Sequence, residues 1–305
     1  MKFQRDILID KIYEMALKDK DIYFISADLG APALDRLRDD LPEQFIHAGI
    51  SEQNMIDVAA GLALSGKKVY VYAMGPFITL RCLEQLKCSL AQMNLPVTVI
   101  SVGLGLGYAD AGPTHYITED LACLRAIVNF EVYTPSDLST VVELAELINK
   151  KPALRVLRLD RNAVEDIHTQ GVSVDTGFVE LKKGKQIGIL SCGYVLQRIL
   201  KNWGEVTNGL DIGLVDVFRN KPLNLEELKP IFEKYKKIIT VEEQCLSGGF
   251  GSSILEAISD LGMNNLVKRL GLEERYYFEN GGREFLLDTF GLSNQQLKET
   301  VISIS

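Results

Sequence analysis

The chain has 305 residues, of which 47% are hydrophobic and 24% charged, enough apolar material for one large domain or two ordinary ones and too much for a disordered protein. Its 41 acidic and 33 basic residues leave a formal net charge of −8 with no long block of either sign, which argues against a nucleic-acid or anionic-membrane surface. The five cysteines, Cys82, Cys88, Cys123, Cys192 and Cys245, form no CxxC pair and are expected as reduced core thiols of a cytoplasmic protein. The uncharged run from Ser89 to Ala109 contains Gln92, Asn94, Pro96 and three glycines, so it reads as helix, turn, strand and loop rather than a membrane span. The start, MKFQRDILIDK, turns charged again too soon for a secretory signal.

Along the chain, short β-branched runs alternate with amphipathic stretches. Strands are expected at Ile22–Ser26, Lys68–Ala73, Val97–Val102, Val132–Thr134 and Leu154–Leu159, with helices at roughly Asp6–Ala16, Gln53–Ser65, Leu80–Met93 and Asp137–Asn149. From about Ala163 to Lys185 the sequence becomes polar and glycine-punctuated, with alternating Phe178, Glu180 and Lys182 suggesting an edge strand or a linker. The alternation then restarts with strands at Ile187–Ser191, Ile212–Asp216, Lys237–Glu242 and Val267–Leu270, and helices at Leu225–Tyr235 and Phe250–Ser259. The pattern is that of an α/β protein of two domains, each a mostly parallel sheet flanked by helices.

Ligands of such sheets bind beyond the carboxyl ends of the strands, and four loops there are unusual. Ala48-Gly49-Ile50-Ser51-Glu52-Gln53 precedes a helix rich in small residues. Either Ser51 caps that helix and Glu52 favours its dipole, or Glu52 is functional. Met74-Gly75-Pro76-Phe77 ends a strand on an aromatic turn, where Phe77 is a core residue or a platform for a ring. The loop from Gly103 to His115 alternates three glycines and ends in Gly-Pro-Thr-His. It lacks both the Rossmann spacing and the P-loop Lys-Ser/Thr, but it places an imidazole where proton exchange with a ligand is feasible. The alternative is a histidine that merely satisfies loop carbonyls. In Arg155-Val156-Leu157-Arg158-Leu159-Asp160-Arg161, the arginines are expected on one face of a salt-bridged edge strand, with anion binding by Arg161 as the sharper reading.

The order of these segments resembles the C-terminal half of transketolases. The resemblance extends to Ser26-Ala27-Asp28-Leu29, Leu95-Pro96-Val97, Tyr133-Thr134-Pro135-Ser136-Asp137, Val241-Glu242-Glu243-Gln244 and Gly248-Gly249-Phe250-Gly251. It implies a thiamine diphosphate-binding pyrimidine domain over 1–168, a linker over 169–183 and a transketolase C-terminal domain over 184–305. It further implies that Glu52 hydrogen-bonds the aminopyrimidine of thiamine diphosphate as a catalytic group. Phe77 would stack on that ring, in a turn that differs by a residue from the transketolase form. Asp28 and Leu29 would line its pocket, and His115 would contact the donor sugar as the second catalytic group. Arg5 and Arg161 resemble substrate-binding positions, and Asp110, close to an acidic position of the family in the same loop, is expected to bind substrate with them.

The departures carry information too. The family holds the diphosphate and Mg2+ with a Gly-Asp-Gly motif, and this sequence contains none, so the resemblance implies metal ligands on a partner. That partner would be an N-terminal transketolase-like subunit carrying the motif, in an α2β2 assembly that includes homodimerisation. A basic residue of the family, expected near Val102-Gly103-Leu104, is missing. A serine after Asp28-Leu29 is replaced by Pro32, and an acidic position is Ala111. Each lost charge-assisted bond to phosphate is worth about 1.5–3 kcal/mol, so an unusual donor or acceptor sugar is expected. The implied activity is transfer of a two-carbon ketol unit from a ketose or ketose phosphate to an aldose. The alternatives are a deoxyxylulose-phosphate-synthase-like or 2-oxo acid decarboxylating subunit, a non-catalytic regulatory partner, and a nucleotide-binding protein using the Gly103–Gly107 loop.

Overall fold

The structure is a computed structural model and describes residues 2–168 and 172–305. The first half of the chain supplies strands β1 (Ile22–Ala27), β2 (Phe45–Gly49), β3 (Lys68–Met74), β4 (Val97–Val102), β5 (Glu131–Tyr133) and β6 (Arg155–Leu159). The second half supplies β7 (Val179–Lys182), β8 (Ile187–Ser191), β9 (Ile212–Asp216), β10 (Arg219–Lys221), β11 (Lys237–Cys245) and β12 (Leu266–Leu272). They form two sheets, ordered β10-β5-β6-β4-β3-β1-β2 and β12-β11-β8-β9-β7. Pairing is parallel except for β10 on β5 and β7 on β9, both antiparallel at a sheet edge. This is the expected class of two mostly parallel sheets flanked by helices. Every residue of β4 and of β8 is buried, as required when helices cover both faces of a parallel sheet.

Of the segment 169–183, residues 169–171 lie outside the described residues and Val179–Lys182 is the edge strand β7. The two halves are tied together. Three residues of the second half, β10, complete an edge of the first sheet. One apolar cluster joins Val97, Val99 and Val156 of the first sheet to Leu190, Val215, Phe232 and Phe250 of the second half.

A polar junction adds to this core. Asp137 caps the Leu138–Lys150 helix by accepting from the Thr140 amide at 2.9 Å. Its other carboxylate oxygen accepts from the Ile167 and His168 amides at 3.2 and 3.1 Å and lies 2.7 Å from His168 Nδ1. The far nitrogen of His168 lies 3.3 Å from Asp216 at the end of β9. Burial alone pulls the His168 pKa down, but the hydrogen bond to Asp137 and the neighbouring Asp216 carboxylate outweigh it and push it up to about 9. A folded-state value above the ordinary 6.5 means that the folded protein holds this proton more tightly. Stability from His168 is therefore fully present below about pH 6.5 and is lost as pH rises through about 9. Urea midpoints measured between those limits are expected to fall with pH in the native chain, and to fall less steeply in His168→Gln.

Three sequence expectations change. The single helix expected over Leu80–Met93 is instead short turns followed by a π-helical stretch, Leu86–Ala91. Bonds such as Gln92 N–H to Lys87 O at 2.8 Å and Leu95 N–H to Leu90 O at 3.1 Å span five residues and widen the coil. Strand β6 is no edge, since it lies between β4 and β5. Arg155 and Arg158, three residues apart, project from opposite faces and are buried. Arg158 grips Asp120 through two bonds of 2.7 and 2.8 Å, and Arg155 bonds Glu131 at 2.6 Å. Of the cysteines, all free, only Cys82 is buried, and Cys88 is exposed. Among the described residues, no helix is long and apolar enough to cross a membrane.

Candidate active site

The loops after β1, β2, β3, β4 and β6 all open from the carboxyl edge of the first sheet, because every strand from β6 to β2 in its order runs in the same direction. There Ala27, Asp28, Leu29, Ile50, Glu52, Ala73, Met74, Phe77 and Arg81 enclose a cavity of about 300 Å³.

Glu52 is the first residue of the Glu52–Leu64 helix and is 5% exposed. Ser51 holds the cap position but does not cap with its side chain. Its hydroxyl donates to the Ala48 carbonyl at 2.6 Å, which tightens the turn at Gly49, where φ is +71°. Glu52 is thereby turned inward, and its Oε2 accepts from Arg81 at 2.7 Å. Phe77 sits in the short Gly75–Ile78 helix, and Pro76 just inside its start fits the first-turn geometry. The Arg81 guanidinium lies 4.0 Å from the centre of the Phe77 ring, and the His115 ring meets Phe77 edge-on at 5.4 Å. His115 Nδ1 is 2.8 Å from the Thr114 hydroxyl. Asp28 is exposed at the cavity rim and Leu29 half-buried beside it.

A second group gathers around Tyr108. Arg161 lies 4.5 Å over its ring and donates to Asp110 at 2.6 Å, a bond that holds the Asp110 carboxyl below its usual range. Burial pushes the Tyr108 phenol up, while the charges of Arg161 and Arg5 pull against it. Arg5 itself bonds Asp6 at 3.0 Å. The structure thus brings Asp28, Leu29, Glu52 and Phe77 together around one cavity, with His115 against Phe77, and gathers Arg5, Asp110 and Arg161 around Tyr108.

Two residues escaped the sequence reading. Arg81 is four positions after Phe77, a spacing that could have flagged it as a neighbour on a helical turn. Tyr108 explains the glycine at 103, where φ is +102° and a Cβ would come within 2.2 Å of the Tyr108 ring. The aromatic ring takes the volume that any side chain at 103 would need. Nothing in the sequence signals that contact.

Behind this edge, the Glu242-to-Gly251 segments are structural. Glu242 accepts from the Phe250 and Gly251 amides at the start of the Phe250–Asp260 helix, and burial pushes its carboxyl up to about 7. A Cβ on Gly249 would meet Glu242 Oε2 at 2.1 Å, so the glycine leaves room for that carboxylate.

The cavity, with a buried carboxylate at one side and an aromatic face at another, suits a flat heteroaromatic ring that can both stack and hydrogen-bond. Residues 4–166 match the transketolase pyrimidine binding domain, and residues 178–297 match the transketolase C-terminal domain. An apulose-4-phosphate transketolase subunit of Phocaeicola vulgatus is 29% identical over 98% of this chain and 96% of its own. The 1-deoxy-D-xylulose-5-phosphate synthase of Thermotoga petrophila is 30% identical over 95% of this chain but only 47% of its own. A split-gene transketolase, solved as an inactive beta4 tetramer, superposes with a TM-score of 0.86 at 24% identity, over 99% of this chain and 97% of that one. The chain belongs to the transketolase family, with a pyrimidine binding domain followed by a transketolase C-terminal domain.

Proposed function

We propose that this chain is the pyrimidine-side subunit of a two-component, thiamine diphosphate-dependent enzyme that transfers a two-carbon ketol unit from a ketose or ketose phosphate to an aldose. The observation that carries the proposal is the buried Glu52 carboxylate facing the same cavity as the Phe77 ring, in a chain with both family domains. When bound, thiamine diphosphate supplies the nucleophilic carbon that attacks a ketose carbonyl. Glu52 pairs with the pyrimidine ring, its carboxylate accepting a hydrogen bond from the ring edge in a pocket whose burial strengthens that bond. Phe77 stacks on the ring, and Asp28 and Leu29 line the same cavity. His115, half-buried beside Phe77, exchanges protons with the sugar oxygens. Arg5 and Arg161 hold the far, anionic end of the sugar, with Asp110 orienting Arg161. The partner subunit carries the Gly-Asp-Gly motif and the ligands of Mg2+. Its existence is supported by the Phocaeicola vulgatus relative, which is named as a subunit and is covered over 96% of its length. We place the complex in the cytoplasm as an α2β2 assembly, with domain limits at 1–168 and 184–305.

A second reading rests on the Thermotoga petrophila relative, a synthase of 1-deoxy-D-xylulose 5-phosphate. The test is to mix this chain with a partner carrying Gly-Asp-Gly, add thiamine diphosphate and Mg2+, and follow products. Ketol transfer between sugar phosphates without gas release is the expected result. Carbon dioxide released from pyruvate would replace ketol transfer with the second reading.

A further inference from the structure

Arg81 occupies the place that the proposed function gives to the pyrimidine ring. A guanidinium is flat, delocalised and edged with N–H donors, so it can do what an aminopyrimidine does: lie on an aromatic face and donate to a carboxylate. Here it does both at once, 4.0 Å over Phe77 and 2.7 Å from Glu52. The cavity of about 300 Å³ is bounded by all three residues. Its carboxylate is 5% exposed, whereas the arginine side chain is 40% exposed and reaches in from the rim.

We propose that Arg81 is a built-in place-holder of the pyrimidine pocket, seated on Glu52 and Phe77 in the free chain and swung outward when the cofactor ring takes those two contacts. The inference rests on the reading of the pocket given above. A buried carboxylate in a cavity awaiting its ligand needs a partner. An unpaired buried charge is costly, and the guanidinium offsets that cost until the ring arrives. Two exposed carboxylates can receive Arg81 after it leaves. Glu84 is three residues further on, and Asp28 lines the same cavity. The backbone that carries Arg81 suits such a swing, since it lies between the four-residue Gly75–Ile78 helix and the π-helical stretch rather than inside a long regular helix.

A seated Arg81 competes with the cofactor, so apparent affinity falls by the fraction of chains in the open state. If the seated state is about ten times more populated than the open one, removing the guanidinium tightens binding about tenfold. The experiment is calorimetric titration of thiamine diphosphate with Mg2+ into the cofactor-free two-subunit complex, comparing native, Arg81→Met and Arg81→Lys proteins. Arg81→Met is expected to bind about tenfold tighter, with Arg81→Lys between it and the native protein, because an ammonium keeps the charge but cannot stack as a plane. Equal or weaker binding by Arg81→Met, with normal binding by the native complex, would overturn the place-holder while leaving the pocket assignment standing. No binding by any complex would overturn both. A second measurement needs no partner. In the free chain, Glu52→Gln is expected to restore part of the urea midpoint lost in Arg81→Met, since it removes the carboxylate left unpaired. Simple addition of the two losses would show that the pair is not seated, and would overturn the proposal.

Discussion

Glu52→Ala is expected to lower cofactor-dependent turnover of the reconstituted complex by about a hundredfold to ten-thousandfold, with the urea midpoint of the free chain changed far less. The size of the effect follows from the position of the carboxylate. It starts a helix, is 5% exposed and faces a cavity rather than solvent. A surface carboxylate in a first turn would contribute only about 0.3–1 kcal/mol through the helix dipole, so a small loss of stability with intact turnover would mark Glu52 as an ordinary helix-start residue. Glu52→Gln separates charge from shape. It keeps a hydrogen-bonding group in the pocket but cannot exchange a proton, and it is expected to lose nearly as much turnover as the alanine variant. Steady-state rates and urea curves on the same preparations provide the check.

The second large effect is on stability. Arg283→Met is expected to destabilise the chain by about 3–5 kcal/mol, because it strands two buried carboxylates. Arg283 donates to Asp160 at 2.9 and 2.8 Å and to both oxygens of Glu243 at 2.6 Å, and its guanidinium lies 3.7 Å over the Tyr194 ring. Asp160 follows β6 of the first sheet and Glu243 lies in β11 of the second, so this one side chain links the two halves. Glu243 also accepts from the Leu106 amide at 2.9 Å, and Arg283 donates to the Leu104 carbonyl at 3.4 Å. The glycine-rich loop that leads to His115 is therefore anchored through the same cluster. Whole domains are stable by only about 5–15 kcal/mol, so the loss is a large share of the total. Arg283→Lys is expected to recover little, since a point charge cannot bond two carboxylates and stack on a ring together. Arg283→Met combined with Asp160→Asn and Glu243→Gln is expected to recover more, since no buried charge is then left unpaired. Urea denaturation of the four chains measures both effects, and a loss below about 1 kcal/mol for Arg283→Met would place the cluster among surface ion pairs.

The parts of this fold that were legible in the sequence are those fixed by short-range pattern. β4 and β8 read as apolar runs because both faces of a parallel sheet are covered, and the Phe250–Asp260 helix announced itself by amphipathic spacing. The loops after the strands could be located for the same reason, since an α/β sheet places its ligands at one edge. What remained hidden depends on contacts between distant residues. β10 has three residues and no apolar alternation, and it is a strand only because β5 lies beside it. Arg158 read as part of an arginine face on a salt-bridged edge strand, yet it is buried and its partner Asp120 lies 38 residues earlier. The glycine at 103 read as one of three alternating glycines, whereas the Tyr108 ring is what demands it. At the site itself, Glu52, Phe77 and His115 were marked by local motifs, but Arg81 was not. Its part follows from the π-helical region that replaced the regular helix expected there, and from a pocket that only the folded chain defines.

In the proposed function, this chain supplies the pyrimidine half of a site completed by a second subunit. Calorimetric titration of thiamine diphosphate with Mg2+ into this chain alone, into the Gly-Asp-Gly partner alone and into their mixture tests it most directly. Saturable, stoichiometric binding is expected in the mixture, little in either chain alone, and its loss or marked weakening in a mixture made with Glu52→Ala. Binding of equal strength to the partner alone, unchanged by adding this chain or by substituting Glu52, would contradict it.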